Sequence, residues 1–374
     1  LYNSQSSASY TNTLSDPNIK PSNRFSIEEG IDIRFLKNRI GLSATAFQYT
    51  DGPAILANSI STTTGYTTYY INALKTRKTG LELSLTAFPV QNRTYSWESM
   101  INWSTFKDVY AELPAGQDTY NTFFRKGDRT DKLMGSAFYK DKNGQVIHDT
   151  AGKPLAMQVA QYLGNMNGDF QWSWINKFTY KSAYLSFQFD GNVGGVMVDY
   201  MHNKTMRGGR NIETVQGDFG IARDLDDQNA GSKTFQGAYV GKGVVISNGG
   251  SIAYDSQTGA ITNLDALTFS PNTTATHVQD YISKYYGVDE PNLMSKTYAK
   301  LRELIIGYNL PSNVTSSLKL SKVSVAFVAR NLLYIYGNSR FRDVDLDQYN
   351  GANSISRLQT PTTRRFGFNI NVVF

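Results

Sequence analysis

The chain has 374 residues, a formal net charge of +6 and no cysteine, which excludes a disulfide framework and a thiolate metal site. Lysine and arginine are scattered without a run of five or more, a pattern that argues against nucleic-acid binding. No stretch of about 18 apolar residues occurs, which excludes a bundle of transmembrane helices. Tyrosine (24), phenylalanine (20) and glycine (31) are plentiful, as expected of a β-rich protein.

Apolar and polar residues alternate from residue 22 onward, and this period of two predicts strands with one apolar and one polar face. The first strand ends at Asn38-Arg39, a tight turn from which the chain returns as the second arm of a hairpin. Equally short turns follow at 91–93 and at Lys181-Ser182. The apolar face of the first strand consists of Phe25, Ile27, Ile31, Ile33 and Phe35.

Long segments without firm periodicity separate the predicted strands. Short turns that alternate with long loops are typical of outer-membrane barrels, whose periplasmic turns are tight and whose extracellular loops are long. Within the loops, we predict a strand from Val196 to Lys204, a strand at Val244–Ser247 and a helix from His277 to Tyr286. The predicted extracellular loops are about 51–72, 110–168, 205–296 and 334–361.

The last twelve residues, from Thr363, form the clearest strand of the chain. Polar residues (Arg365, Gly367, Asn369 and Asn371) occupy one face, and the chain ends on an aromatic ring. This ending resembles the C-terminal signal that the outer-membrane assembly machinery reads. The apolar face, which we predict to be the assembly signal, consists of Phe366, Phe368, Ile370, Val372 and Phe374.

Further strands are predicted at 298–309 and 318–331, which gives about ten strands of the length that crosses a membrane when tilted. A barrel turns its apolar face to lipid and its polar face to the lumen, so it accounts for the alternation without any long apolar run. The sequence therefore predicts an all-β fold, a transmembrane antiparallel β-barrel.

Several short segments recur in a characteristic order over about residues 20–374. They are Gly152-Lys153-Pro154, Leu163-Gly164-Asn165, Asn176-Lys177-Phe178-Thr179-Tyr180-Lys181 with Leu185-Ser186 and Gly194-Gly195, Tyr298 with Lys300-Leu301-Arg302-Glu303-Leu304, Tyr308-Asn309-Leu310-Pro311, Ala329-Arg330-Asn331-Leu332, and Pro361 to Phe368. Each is weak alone, but the ordered set resembles the SusC/RagA branch of TonB-dependent outer-membrane transporters.

The resemblance implies a 22-stranded barrel plugged by a separate N-terminal domain. The plug and the TonB-contacting segment are missing from this sequence, so we expect the chain to be the C-terminal part of a longer protein. The resemblance further implies that the protein lies in the bacterial outer membrane, in contact with its lipids. It implies that TonB delivers the energy for transport and that a SusD-like surface lipoprotein acts as a lid. It also implies import of glycans or peptides, and an assembly of two transporter–lipoprotein pairs.

Loop aromatics are the best candidates for substrate binding, because rigid rings stack on sugars and pack against apolar groups. Rings that only pack the loops against one another are the alternative. No paired carboxylates and no histidine ligand spacing occur, so we expect no catalytic residue and no enzyme activity. The candidate substrate-binding residues are Tyr120, Phe123, Phe124, Arg125, Tyr281, Tyr285 and Tyr286.

A weak calcium candidate lies near the C-terminus, where Asp343, Asp345 and Asp347 alternate in the manner of a calcium loop. The following Gln348 stands where such a loop has glycine, and no bidentate glutamate follows. We therefore expect no cofactor, with calcium as the one possibility left open.

Two other interpretations stay open at this point. A complete small passive porin would require further strands hidden in the long loops. A soluble β-rich carbohydrate-binding protein or adhesin would instead bring the apolar strand faces together in a core.

Overall fold

The computed structural model describes residues 11–317, 319–337 and 344–374. The chain divides into two compact units. The first comprises the residues up to Pro89 together with Glu98–Thr130, and the second comprises Val90–Trp97 with Asp131–Phe374. Both are built mainly from antiparallel β-strands.

In the first unit, three long strands form consecutive antiparallel neighbours, β2-β3-β4, with β5 beside β4 and the short β1 parallel to β4. The hairpin of β2 and β3 turns through Leu36, Lys37 and Asn38, all with positive φ, which sets Phe35 opposite Ile40. A 3₁₀ helix covers Thr62–Thr64. The strands are β1 Thr13–Ser15, β2 Asn23–Phe35, β3 Ile40–Ser59, β4 Thr68–Gln91, β5 Tyr95–Glu112, β6 Thr119–Tyr120 and β7 Phe124–Arg125.

The second unit contains an antiparallel sheet in the order β11-β12-β19-β20-β21 and several two- or three-stranded sheets. Its strands are β8 Lys132–Gly135, β9 Ile147–His148, β10 Gln161–Asn165, β11 Phe170–Tyr180, β12 Ala183–Val193, β13 Val196–Val198, β14 Tyr239–Val240, β15 Val244–Ile246, β16 Phe269–Pro271, β17 Ala275–Thr276, β18 Leu293–Ser295, β19 Tyr298–Asn309, β20 Lys322–Tyr336 and β21 Arg365–Val373.

Helices of the second unit are short. The α-helices are α1 Tyr200–Arg207, α2 Gly217–Gln228, α3 Val278–Tyr285 and α4 Ser312–Ser317. The 3₁₀ helices are Ile212–Val215, Leu264–Ala266, Glu290–Asn292 and Leu346–Tyr349. Among the described residues, no helix is both long and apolar enough to span a membrane.

Several predicted elements occur with nearly the predicted bounds, and four differ. The predicted loop 51–72 is mostly strand, because β3 runs to Ser59 and β4 begins at Thr68. The predicted strand from Val196 to Lys204 ends at Val198, since Asp199 caps α1 by accepting a hydrogen bond from the His202 backbone N–H (3.0 Å). The predicted loops 110–168 and 205–296 are not structureless either, because they contain β6–β10, α2, α3 and further short elements.

Large apolar side chains are exposed on inner strands as well as on the edge strands, since Ile306 on β19, between β12 and β20, is 53% exposed. Phe25 on β2 is 65% exposed and Phe368 on β21 is 77% exposed. A soluble sandwich would bury these faces against each other, and an exposed row of large apolar side chains instead matches contact with lipid.

Candidate functional site

A β-bulge on β19 gathers charged side chains on the polar face of the second sheet. Asp190, Lys300 and Tyr334 lie opposite one another on β12, β19 and β20. Arg302 is the extra residue of β19 in its pairing with β12, and on the other side Asn331 and Leu332 of β20 both lie opposite Arg302. Lys300 and Arg302 are two positions apart on β19, and both side chains reach Asp347 on the same side of the sheet.

Two basic and three acidic side chains meet there, and we call them the charge cluster: Asp190, Lys300, Arg302, Asp345 and Asp347. Arg302 binds Asp190 through two nitrogens (2.7 and 3.2 Å) and Asp347 through Nη1 (2.5 Å). Lys300 Nζ lies 2.9 Å from Asp347 Oδ2 and 3.8 Å from Asp345 Oδ1. The cations therefore join the strands to the loop between β20 and β21.

Hydrogen bonds complete the environment of Asp345. It accepts from the Tyr334 hydroxyl, from the Thr362 backbone N–H (2.6 Å) and from the Thr362 hydroxyl. Burial raises the pKa of Asp345, but these bonds and Lys300 outweigh burial, so the pKa lies below its ordinary value. The carboxylate is held in its charged form.

The same loop is anchored by apolar packing and by a buried lysine. Leu346 and Tyr349 pack with Met197, Met294 and Tyr298. Nearby, Lys296 is 1% exposed, and its Nζ donates to the carbonyls of Met166 and Gly351 (2.6 Å each). Burial lowers the pKa of Lys296 to about 8. Three loops thus meet at one ammonium group.

The calcium candidate falls partly on these residues. Asp345 and Asp347 direct their oxygens at Lys300, Arg302 and hydrogen-bond donors, while Asp343 lies outside the described residues. In the part of the chain that the structure describes, no three His, Cys, Asp or Glu residues gather in a way that could hold a metal ion. Calcium binding stays a prediction.

A groove of about 510 Å³ lies among the loops of the second unit, and we call it the loop groove. Its size falls within the range of small-molecule sites. Apolar side chains dominate it, and a Lys140–Glu290 ion pair lies along it. Its lining consists of Ala137, Phe138, Tyr139, Lys140, Met157, Gln161, Tyr162, Leu163, Ala260, Ile261, Leu264 and Glu290.

A stack of aromatic rings leads from this groove into the interior. Phe138 stacks on Tyr285 (5.0 Å between ring centroids), and Tyr285 stacks on Tyr281 (5.8 Å). Tyr281 is 3% exposed, which favours packing over substrate contact for this residue. Tyr285 and Tyr286 are half-buried, and substrate contact by them stays a prediction.

His148 ends the stack. It is buried, with Nε2 at 3.2 Å from the Tyr281 hydroxyl and Nδ1 at 3.1 Å from the Val146 carbonyl. Burial lowers the pKa of His148 and raises the pKa of Tyr281. A neutral imidazole therefore completes the interior of this loop assembly.

The other predicted substrate-binding residues belong to the first unit. Tyr120 and Phe124 pack on Tyr110 (5.6 and 5.3 Å), Phe123 is half-buried, and Arg125 is exposed. The structure places them in one hairpin, β6–β7, which is the arrangement expected of either role. Substrate contact at this hairpin stays a prediction.

Comparison with known proteins gives two kinds of match. No protein-family model matches the chain. Two curated proteins of Formosa agariphila are similar in sequence: TonB-dependent receptor P3 is 18% identical over 218 residues, 50% of this chain and 22% of that protein. TonB-dependent receptor P39 is 25% identical over 233 residues, 56% of this chain and 19% of that protein.

Solved structures match nearly the whole chain. The RagAB peptide importer in the closed-closed state aligns with 96% of this chain at a TM-score of 0.60 and 16% identity. The RagAB peptide transporter aligns with 94% at a TM-score of 0.58 and 15% identity. The chain has the SusC/RagA-like fold of TonB-dependent transporters. It spans 36% and 35% of those two structures, and about a fifth of the curated relatives.

Its fold is that of an outer-membrane β-barrel transporter, and the exposed apolar side chains of its strands agree with that location. The matched proteins are receptors and transporters, not enzymes. The apolar residues of the predicted assembly signal, Phe366 to Phe374, are exposed, and their role as a signal stays a prediction.

The motif residues of the SusC/RagA-like resemblance converge on the charge cluster. Lys300 and Arg302 come from one motif, and Asn331, whose side-chain oxygen lies 2.9 Å from Arg302 Nη1, comes from another. The sequence identified both motifs but did not predict that their side chains contact each other. The available signal was a pair of basic residues on the polar face of one predicted strand and a polar Asn331 on the next predicted strand.

Proposed function

We propose that this chain is the C-terminal barrel portion of a SusC-like TonB-dependent transporter that imports oligomeric nutrients, glycans or peptides, across the outer membrane. The observation that carries the proposal is the fold match to the RagAB peptide importer over 96% of the chain. The curated relatives, both TonB-dependent receptors, agree with it in sequence.

The open edges of the two sheets support this proposal. In the described residues, β2 and β21 each pair with one neighbour and leave the other edge without a strand. An exposed long edge strand tends to pair with further strands. In the proposed transporter, the remaining strands of a 22-stranded barrel pair with these edges, and TonB acts through a region outside this chain.

A SusD-like surface lipoprotein is the proposed partner. RagAB is described as a peptide importer in both closed-closed and open-open states, and this chain matches both structures. Each of these names describes two positions, one for each half of an assembly, which agrees with two transporter–lipoprotein pairs in one assembly. The long, structured loops of the second unit offer the surface that such a partner needs.

Uptake in cells tests the proposal. Cells that express the natural protein containing this chain are compared with otherwise identical cells without TonB or without the lipoprotein, using labelled oligopeptides and oligosaccharides. We expect uptake that requires both. An equal rate of uptake in cells without TonB would contradict the proposal and favour a passive porin.

Detergent extraction followed by mass spectrometry tests the assembly. We expect a polypeptide near 100 kDa, on the order required for a plug and a 22-stranded barrel, together with a lipoprotein. An unaccompanied polypeptide of 41.7 kDa would contradict the proposal.

A further inference from the structure

The loop groove distinguishes between the two classes of oligomer that the proposed function leaves open. Most of its lining is apolar: alanines 137 and 260, Phe138, Met157, Leu163, Ile261 and Leu264. Tyr162, which is 52% exposed, presents an aromatic ring at the surface. Such a lining fits an apolar group of the ligand.

The polar groups of the groove are already paired within the protein. Lys140 binds Glu290, and Glu290 Oε2 accepts a hydrogen bond from the Phe138 backbone N–H (3.0 Å). Gln161 Nε2 donates to the carbonyls of Val159 and Thr258 (3.0 and 2.9 Å).

The hydroxyl groups of Tyr139 and Tyr162, the two tyrosines of the lining, offer a ligand little further hydrogen bonding. The Tyr139 hydroxyl is enclosed by protein, and the Tyr162 hydroxyl donates to Asn165 Oδ1 (3.0 Å). The groove therefore keeps few polar groups for a ligand.

This shortage disfavours sugars. A pyranose ring carries several hydroxyl groups, and each one that enters the groove without a partner gives up its hydrogen bonds to water. An aliphatic or aromatic side chain has no such requirement and gains from leaving water. The lining of the groove therefore favours an apolar side chain over a sugar ring.

We propose that the loop groove binds an apolar side chain of a peptide, with the peptide backbone passing over the Lys140–Glu290 pair at its rim. The side chains of this pair are 41% and 26% exposed, so their outer atoms can exchange hydrogen bonds with a peptide backbone. The assignment rests on the proposed import function and names peptides as its substrate class.

Ala260 allows a test that leaves the fold intact. It is exposed, lines the groove and takes part in hydrogen bonds only through its backbone. Ala260→Trp fills the groove. Ala253→Trp is the matched control, because Ala253 is exposed on the same hairpin and outside the lining.

Binding is measured by isothermal titration with the natural, detergent-purified protein and its copurifying partner. The probes are an acetylated hexapeptide that contains leucine and phenylalanine, the same peptide with both replaced by serine, and maltohexaose. We expect the apolar peptide to bind at least tenfold more tightly than the other two probes. Ala260→Trp should weaken that binding at least tenfold, and Ala253→Trp should change it less than twofold.

Two results overturn the assignment: maltohexaose binding that Ala260→Trp abolishes, or apolar-peptide binding that Ala260→Trp leaves unchanged. Tyr162→Ala, at the exposed rim, is measured in parallel, and equal melting temperatures of the three variants exclude misfolding as the cause. TonB-dependent uptake that persists while these binding predictions fail would leave the proposed function standing. Uptake that does not depend on TonB would contradict the proposed function itself.

Discussion

Lys300 Nζ lies 2.9 Å from Asp347 Oδ2, and both side chains are almost completely buried. The pair joins β19 to the loop between β20 and β21, 47 positions apart in sequence. Because water is excluded, each charge depends on the other for its solvation. Asp347 also binds Arg302, so this one carboxylate links the loop to two cations of β19.

Replacing Asp347 by asparagine should make the loop between β20 and β21 separate from β19 more often. Removal of one partner from a buried ion pair costs about 3 kcal/mol or more, which corresponds to opening that is on the order of a hundredfold more frequent. Trypsin cleavage after Arg357, within the loop, reports the opening when the fragments are followed by mass spectrometry.

The control for this prediction is Glu303→Gln, which breaks the pair with Arg330. Arg330 is 60% exposed, so we expect an effect of at most about 1 kcal/mol. Equal cleavage rates in Asp347→Asn and Glu303→Gln proteins would refute a special role for the buried pair.

Lys296 should make the stability of the same loop depend on pH in the alkaline range. Its pKa is about 8 in the folded protein, against about 10.4 in an unfolded chain. Between these values the unfolded state holds a proton that the folded state has released, so stability rises with pH and is lost as pH falls towards 8. The difference amounts to about 3 kcal/mol.

The matching measurement is hydrogen exchange of residues 344–357 between pH 7 and pH 10.5, corrected for intrinsic rates. Lys296→Met, which cannot titrate, serves as the reference. We expect the natural protein to gain protection with pH relative to this variant. Parallel pH profiles of the two proteins would contradict the prediction.

Periodicity predicted the strands of this protein well because each strand has one apolar face. The hairpin at Asn38 and the bounds of β19 and β21 follow from alternation and turn residues. Alternation alone could not decide whether an apolar strand face is buried in a core or exposed, because both arrangements give the same period of two.

The site was less predictable, because its contacts join residues distant in sequence. Asp347 carries no local signal that it will meet Arg302, because the two residues lie on different elements 45 positions apart in sequence. Likewise, Tyr281 and Tyr285 share a helix, and the sequence does not show that Tyr281 is buried against His148 while Tyr285 is only half-buried.

His148 should loosen the loop assembly on acidification. Burial places its pKa below the ordinary value of 6.5, so the stability that it supports is present above 6.5 and is lost as pH falls through the lower, folded value. Protonation would also leave a charge stacked on the buried Tyr281 ring. We expect faster hydrogen exchange in residues 139–157 at pH 5 than at pH 7.5 after correction for intrinsic rates.

His148→Phe preserves the ring and removes the titration. This variant should show equal corrected exchange at the two pH values, and strand β3 of the first unit should be unaffected in both proteins. Acid loosening that persists in His148→Phe would assign the effect to another group.

Phe374 should govern how efficiently the chain reaches the outer membrane. Its ring is 90% exposed at the end of the apolar face of β21, where lipid or the assembly machinery can contact it. Replacement by serine removes the aromatic ring of the predicted signal and the roughly 2 kcal/mol that this ring would gain on transfer from water into lipid. We expect a several-fold loss of heat-modifiable, folded protein from the outer-membrane fraction. Asn371→Ser, on the polar face of the same strand, should leave that amount unchanged, and an equal loss in both variants would show that the aromatic terminus carries no specific signal.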